Sequence, residues 1–333
     1  MAYDKKSFIL GLATGLATRG VLCNPAKEQQ QEGAYLTFSS PEPFTLAVYN
    51  AKKNWDGALE YSTDTKNWTV WDGTTTLASE TRNSLYLRGN GNTVITGDSA
   101  DYRWMLTGSA ISCEGDIRTL LNFNDPDNSV MASYCFGYMF QGNTNLVCAP
   151  ELPATKLASH CYRRMFGECS NLVSAPELPA TTLSDSCYNY MFIGCANLVS
   201  APVLPATTLT PYCYNGMFYG CTSLISAPAL PATTLAYMCY TYMFRGCVSL
   251  IGIPALFATT LTPYCYSGMF YDCTKIRLST TQTGEYQTPY RIPITGTGTI
   301  ASGAVSMMFR GTGGTFTGTP KINTTYYTSN EVV

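Results

Sequence analysis

His160 and Cys161 form the one adjacent histidine–cysteine pair in the chain, a pairing from which a thiolate nucleophile and its base could be built. On a helix, neighbouring residues do not face each other. The position of His160 relative to the following cysteine is taken by Ser186, Tyr212 and Met238 further along the chain, so it behaves as a variable surface position. His160 is also the single histidine, the side chain that titrates near neutral pH. The sequence therefore predicts a protein that is not an enzyme, with no catalytic residues.

Two other groups of residues have metal-ligand chemistry. Residues 122–128 carry several Asn and Asp side chains, but they lack the central glycine and the distal glutamate of an EF-hand loop. An Asx-rich turn explains them more simply. The cysteines are not spaced as Cys-x-x-Cys and have no histidines with them, as a zinc site would. We therefore expect neither a metal nor a cofactor.

The chain has 14 cysteines, and eleven of them fall on two recurring positions. The eleven are Cys135, Cys161, Cys169, Cys187, Cys195, Cys213, Cys221, Cys239, Cys247, Cys265 and Cys273. They could form a ladder of disulfides between neighbouring segments, as in secreted scaffolds. They could instead be small, buried, apolar thiols. The sequence favours reduced thiols, because two cysteines eight residues apart on a helix would lie about 12 Å apart, too far to be bridged.

The composition narrows the classes of partner. The 333 residues include 20 Lys and Arg against 22 Asp and Glu, which leaves a net charge of −2, and no basic run is present. Nucleic-acid binding, which depends on cationic groups, is not expected. No apolar stretch has the roughly 18 residues that a membrane-spanning helix needs. Charged residues make up only 13%, whereas tyrosine is frequent at 24 residues, and this combination favours a binding or structural role.

A 26-residue repeat organises the middle of the chain. Its unit reads Cys-Tyr-x-x-Met-Phe-x-Gly-Cys-x-x-Leu-x-x-Ala-Pro-x-Leu-Pro-Ala-Thr-Thr-Leu, followed by three variable residues. We number the repeats one to six by their first cysteines, Cys135, Cys161, Cys187, Cys213, Cys239 and Cys265. A fixed period of this length indicates stacked units that bury their apolar faces against one another. Met308 and Phe309 suggest a seventh, closing unit after an insert.

Within a unit, the spacing of Cys187, Tyr188, Met191, Phe192 and Cys195 predicts one face of a short helix or 3₁₀-like turn. The Leu-Pro segment that follows predicts a very short strand, because proline cannot donate a hydrogen bond to a sheet. The predicted core residues of repeats two to four are Cys161, Met165, Phe166, Cys169, Cys187, Met191, Phe192, Cys195, Cys213, Met217, Phe218 and Cys221.

The alternation of Met-Phe-x-Gly-Cys-x-x-Leu with a Leu-Pro segment, from about Tyr134 to Thr274, resembles the 26-residue repeat of bacterial surface proteins, a relative of the BspA-like leucine-rich repeats. It departs from the standard leucine-rich pattern where Ala-Pro replaces a leucine. The resemblance implies a solenoid with a parallel sheet on one face, displayed for adhesion or recognition. The flanking regions resemble those found around this repeat in proteins of phages and prophages of gut bacteria.

The expected fold is thus a leucine-rich-repeat-like solenoid, with short parallel strands and short helices, behind a small all-β, sandwich-like domain. We expect an N-terminal attachment segment and linker at 1–32, the β-sandwich-like domain at 33–98 and a capping coil at 99–134. The six repeats then occupy 135–277, and an atypical C-terminal coil and cap occupies 278–333. Residues 1–18 are also compatible with a signal peptide.

Function is expected at the positions where the repeat varies, because the constant positions are occupied by packing. Tyr and Arg, which are enriched among the residues that dominate binding interfaces, recur there. The candidate ligand-binding residues are Glu151, Arg163, Arg164, Glu177, Tyr190, Tyr212, Tyr219, Tyr242, Arg245, Tyr264 and Tyr271. An ordinary solvated surface would explain the same residues.

These observations predict a recognition or adhesion protein on a virion surface or, alternatively, on a bacterial cell surface. Its partners would be a host or cell-surface protein or glycan, and other virion or surface proteins through the N-terminal segment. The alternative is a purely structural phage virion component, associated with the tail or capsid, in which the repeat is a spacer.

Overall fold

A computed structural model describes residues 35–79 and 83–333. The attachment segment expected at 1–32 lies outside the described residues. Within them are short strands and four 3₁₀ helices, Tyr49–Ala51, Ala100–Tyr102, Ile117–Leu120 and Pro126–Asn128, and no α-helix. The strands are β1 (Leu36–Ser39), β2 (Thr45–Val48), β3 (Ala58–Ser62), β4 (Thr69–Val70), β5 (Leu77–Ala78), β6 (Ser84–Asn90), β7 (Trp104–Thr107), β8 (Ile111–Glu114), β9 (Leu146–Cys148), β10 (Gly252–Ile253), β11 (Thr260–Leu261), β12 (Leu278–Ser279), β13 (Thr288–Arg291), β14 (Thr299–Ile300), β15 (Thr325–Thr328) and β16 (Glu331–Val332).

Two sheets form the N-terminal part. One has the strand order β4-β3-β6-β1-β8-β9 and the other the order β5-β2-β7. Buried side chains alternate along β1 and β7, as expected for strands with one face in a core. Phe38 of the larger sheet packs against Trp104 of the smaller one, with ring centroids 6.3 Å apart. Strands β7 and β8 pair with β2 and β1, so these sheets extend past residue 98 to Glu114.

The segment predicted as a short helix in each repeat is instead a series of β-turns. In repeat three, the N–H groups of residues 187, 189, 191, 193 and 195 donate to the carbonyl three residues earlier, at 3.1 to 3.2 Å. Every fourth residue, Ser186, Tyr190 and Gly194, has a positive φ of 54° to 71°. A right-handed helix cannot contain such residues, whereas a type II turn requires one at its third position. The prediction of short helices was therefore wrong, whereas the alternative, a 3₁₀-like turn, has the same bonds to the carbonyl three residues earlier.

We call these segments the turn ribbons. They occupy residues 134–143, 160–169, 186–195, 212–221, 238–247 and 264–273, with a seventh at 303–312. The N–H groups that do not close a turn donate to the next ribbon. In repeat three, the N–H groups of residues 186, 188, 190, 192 and 194 donate at 2.8 to 3.1 Å to carbonyls of the next repeat. Each acceptor lies 25 residues further along the chain, one residue less than the repeat length. Backbone polar groups inside the stack are thus paired alternately within a repeat and between repeats.

The extended part of each repeat is shorter than a strand in most units. Single parallel bridges join Ser174 to Ser200 and Ser200 to Ser226, each pair 26 residues apart. The first repeat has a true strand, because β9 pairs in parallel with β8 and continues the larger N-terminal sheet. The nearby prolines, such as Pro202 and Pro205, account for the short pairing, since they have no N–H to donate.

Two columns of stacked rings fill the interior of the repeats. In the first, consecutive ring centroids are 5.4 to 5.7 Å apart and the planes agree within 9°. Its members are Phe140, Phe166, Phe192, Phe218, Phe244, Phe270 and Phe309. The second runs from Phe136 through Tyr162, Tyr188, Tyr214 and Tyr240 to Tyr266, at 5.7 to 5.9 Å. All twelve core residues named from the sequence are 0% exposed.

Both ends of the stack are closed by other groups. At the start, Asn143 replaces the second cysteine; its side chain accepts from the Leu106 N–H and donates to the Trp104 carbonyl, each at 2.7 Å. At the far end, the N–H groups of the seventh ribbon find partners in the segment 317–319. The Met307 N–H donates to the Thr319 hydroxyl at 2.8 Å and the Gly311 N–H to the Thr317 hydroxyl at 3.1 Å. At this end of the stack the N–H groups of Met307 and Gly311 are therefore paired within the chain.

Candidate functional site

Nine of the eleven candidate ligand-binding residues lie on the turn ribbons. They are Arg163, Arg164, Tyr190, Tyr212, Tyr219, Tyr242, Arg245, Tyr264 and Tyr271. Each is half-buried except Tyr264, which is 38% exposed. Glu151 and Glu177 are exposed and belong to the extended part of their repeats. They form no ion pair with any described residue, and the structure does not bring them into contact with the tyrosines and arginines.

The Arg245 guanidinium is the centre of the largest group. Its Cζ atom lies over three tyrosine rings, 5.1 Å from the centroid of Tyr219, 5.3 Å from that of Tyr242 and 4.5 Å from that of Tyr271. Tyr219 and Tyr271 occupy the position of Arg245 in the preceding and following repeats, so the cation lies between them. We call these four residues the Arg245 cluster. A cation over a half-buried ring contributes about 0.5 to 2 kcal/mol, and here three rings share one cation.

Similar pairs extend along the ribbons. Arg310 lies over Tyr271 at 5.4 Å, so tyrosine and arginine alternate in one column over four units, as Tyr219, Arg245, Tyr271 and Arg310. Arg164 lies over Tyr190 at 5.0 Å. Sequence reasoning missed Arg310, although its place two residues after Met308 in the recurring Met-Phe-x-Gly pattern would have identified it.

From Tyr190 to Gly268, the neighbouring column alternates tyrosine and glycine. Tyr190 is followed in the next repeat by Gly216, and Tyr242 is followed by Gly268. Each tyrosine ring lies directly against the glycine of the next repeat, so that a Cβ atom added to either glycine would overlap the ring. Both glycines also have positive φ, 58° and 57°. The glycines therefore provide the space in which the tyrosine rings are held.

We expect Gly216→Ala to lower the free energy of unfolding by about 1 to 3 kcal/mol more than Gly220→Ala, because an added methyl group overlaps the Tyr190 ring. Gly220 is the matched control: its φ of 74° imposes the same left-handed cost, but its nearest neighbours are 3.8 Å from the added atom. Urea denaturation measures both losses. In a Tyr190→Ala background the difference should vanish; equal losses in the wild-type background would contradict the packing described.

A second aromatic group lies at the beginning of the ribbons. The Tyr237 ring meets Tyr212 edge to face at 5.3 Å and Tyr264 at 6.2 Å. Tyr237 is 39% exposed and was missed, because it lies two residues before the first cysteine of its repeat, Cys239. Tyr264 lies against Gly303 as Tyr190 does against Gly216.

Three arginines outside the ribbons form ion pairs in the described chain, whereas Arg103 forms none and lies 3.6 Å over the Tyr49 ring. Arg88, Arg118 and Arg277 pair with carboxylates at 2.7 to 2.8 Å. The arginines of the ribbons form no such pair with described residues and face tyrosines instead. Burial raises the pKa of Tyr190, and the guanidinium groups of Arg164 and Arg245 oppose that rise. The ribbons thus carry four guanidinium groups, those of Arg163, Arg164, Arg245 and Arg310, and two carboxylates, those of Glu168 and Asp272.

The His160–Cys161 pair is not arranged as a base and a nucleophile. His160 stacks on Tyr134, with ring centroids 4.3 Å apart, and its Nδ1 atom lies 2.7 Å from the Ser159 hydroxyl. Burial lowers the pKa of His160, as does the nearby Arg163. The Cys161 thiol is fully buried, and burial raises its pKa well above 9. The thiol is thus kept protonated and away from solvent.

The eleven repeat cysteines are free thiols, all buried. The second cysteine of each repeat donates its thiol proton to the phenylalanine carbonyl of the preceding repeat, at 2.9 to 3.1 Å. Cys195, for example, donates to Phe166 at 3.0 Å. The thiols therefore act as apolar filler, and the five second cysteines each add one weak hydrogen bond.

Among the residues that the structure describes, no group of three or more His, Cys, Asp and Glu side chains is placed to hold a metal ion. In the Asx-rich segment, Asp127 pairs with Arg118 at 2.8 Å and Asp125 accepts from the Asn128 amide at 2.9 Å. No helix in the described part of the chain is long and apolar enough to cross a membrane.

The chain was also compared with known proteins, for the whole sequence and for the structure. No protein-family model, no curated protein and no solved structure matches it. The functional assignment therefore depends on the geometry of the turn ribbons.

Proposed function

We propose that this chain is a non-enzymatic recognition protein, displayed on a virion or on a bacterial surface, that binds a host or cell-surface protein or glycan through its turn ribbons. The observation that carries the proposal is the Arg245 cluster, in which one guanidinium and three tyrosines are gathered on the outer side of a rigid stack. Arg and Tyr are the residue types that most often dominate binding energy.

The turn geometry sets where these side chains leave the ribbon. Arg164, Tyr190, Tyr212, Tyr242 and Tyr264 have positive φ of 51° to 57°. A bulky residue in this region costs about 1 kcal/mol or more, and glycine occupies the equivalent places at Gly216, Gly268 and Gly303 without that cost. The turns impose this conformation on every fourth ribbon residue, whatever its type, and so hold the Tyr and Arg side chains in fixed positions.

We further infer that the 26-residue repeats form a leucine-rich-repeat-like solenoid related to the BspA-like surface repeats. The register of the ribbon ladder and the parallel bridges 26 residues apart support a solenoid. The N-terminal segment, residues 1–32, would attach the protein to other virion or surface proteins.

The test is binding of the labelled full-length chain to a panel of intestinal bacteria and epithelial cells, measured by flow cytometry. The variant Tyr219→Ala, Arg245→Ala, Tyr271→Ala should lose binding, with a melting temperature within a few degrees of the wild type. The matched control is Tyr61→Ala, Lys66→Ala, Tyr86→Ala in the N-terminal sheets, which should bind normally. Unchanged binding by the ribbon variant, or no binding by the wild type, contradicts the proposal.

The second candidate is a structural virion component in which the repeat is a spacer. The continuous ladders of rings and backbone hydrogen bonds favour it, because they make the stack stiff without any ligand. A fixed copy number of this chain in purified particles, together with no binding in the cell panel, would select this candidate.

A further inference from the structure

We propose that the Arg245 cluster and Arg310 bind the carboxylate or sulfate groups of an acidic polysaccharide. This inference rests on the proposed function, for which it names the class of ligand. It is drawn from the unpaired guanidinium groups, their spacing along the stack and the tyrosine hydroxyls beside them.

The N–H groups of Arg245 form no hydrogen bond or ion pair with any described residue, while its Cζ atom lies over the rings of Tyr219 and Tyr271. A planar guanidinium held in this way can donate two parallel hydrogen bonds to a carboxylate or sulfate. The rings fix the orientation of the side chain, so little conformational entropy is lost when an anion binds.

The arrangement suits a polymer with regularly spaced anions. Arg245 and Arg310 occupy the same column two units apart, which corresponds to about 10 Å at the usual separation of stacked strands. A linear chain lying along the stack would reach both cations.

The tyrosine hydroxyls favour a saccharide over an acidic peptide. The hydroxyl groups of Tyr219, Tyr242 and Tyr271 make no hydrogen bond within the described residues, so they are available as donors and acceptors to sugar hydroxyls. The Asp272 N–H donates to the Arg310 carbonyl at 2.8 Å and its carboxylate lies beside Gly311, but it forms no ion pair with Arg245 or Arg310. The surface therefore remains attractive to anions although the whole chain has a net charge of −2.

The experiment measures binding of the full-length chain to four immobilised probes at two salt concentrations. Polygalacturonate and dextran sulfate are acidic polysaccharides, dextran is neutral, and poly-L-glutamate is an acidic peptide. The wild type should bind at least one acidic polysaccharide and not dextran. Arg245→Gln should weaken that binding about tenfold, since one charged contact is lost. Arg245→Lys should restore only part of it, because lysine keeps the charge and loses the planar fork.

Lys66→Gln is the matched control, since it removes one positive charge from an exposed loop between β3 and β4. It should leave binding unchanged. Equal weakening by Lys66→Gln, equal binding of dextran, or tighter binding of poly-L-glutamate would each overturn the inference. So would the absence of binding to both acidic polysaccharides. If the cell panel nevertheless shows binding that depends on Arg245, the proposed function stands and only the class of ligand is wrong.

Discussion

The free energy of unfolding should fall by about 16 kcal/mol for each pH unit above about pH 9, because twelve buried thiols, those of the repeats and Cys113, ionise only when the chain unfolds. Burial raises the pKa of each of these thiols, to about 12 for Cys265 and Cys273 and higher for the others. Below about pH 8 the thiols are protonated in both the folded and the unfolded chain, so they do not make the free energy of unfolding depend on pH. Between the unfolded and the folded pKa only the unfolded chain releases protons, so rising pH favours unfolding.

Urea denaturation in a reducing buffer at pH 7.5 to 10.5 measures this slope. Because a whole domain is stabilised by about 5 to 15 kcal/mol, unfolding should occur within about one pH unit. The control is the double variant Cys195→Ala, Cys221→Ala, which removes two titrating groups from the centre of the stack and should lower the slope by about 3 kcal/mol per pH unit. A stability that stays constant up to pH 10.5 would show that the thiols are accessible in the folded protein.

Phe218→Ala should lower the free energy of unfolding by about 3 to 5 kcal/mol. Phe218 is 0% exposed, and its ring stacks at 5.7 Å on both Phe192 and Phe244. Removing it deletes both ring contacts and leaves a cavity that neighbouring repeats cannot close, since their positions are fixed by the backbone ladder.

The matched control for this prediction is Phe257→Ala. Phe257 is 45% exposed and stands where other repeats have proline, so its loss should cost about 0.5 kcal/mol or less. Denaturation midpoints and slopes in urea give both values. A loss below 1 kcal/mol for Phe218→Ala would mean that the phenylalanine column is not part of a cooperative core.

The sequence predicted the repeat period, the buried residues of the two columns and the closing pair Met308 and Phe309. Identical spacing in every unit places identical side chains in one row. The sequence did not predict the turn ribbon. Cys187, Met191 and Cys195 follow one another at intervals of four residues. This interval is close to the 3.6 residues of one helical turn, so the same pattern also fits one face of a short helix. The positive φ of Tyr190 has no signal in the residue type, since only Gly194 in that repeat favours it.

The sequence predicted most residues of the candidate surface, but it did not predict how they are arranged in space. The variable tyrosines and arginines stood out in the sequence, but the position of Arg245 between Tyr219 and Tyr271 depends on how the repeats stack. Glu151 and Glu177 varied in the same way and lie elsewhere, because they belong to the extended segments. Variation alone does not indicate which variable positions share a surface.

The pairing of Tyr190 with Gly216 and of Tyr242 with Gly268 limits how such a gene can lengthen or shorten by recombination. Deleting one unit after Tyr190 would put Tyr242 where Gly216 stands, and the Tyr190 ring would lose its place. Deleting two units would put Gly268 there, and the ring would keep it. In this part of the chain, the number of repeats should therefore change in steps of two during evolution.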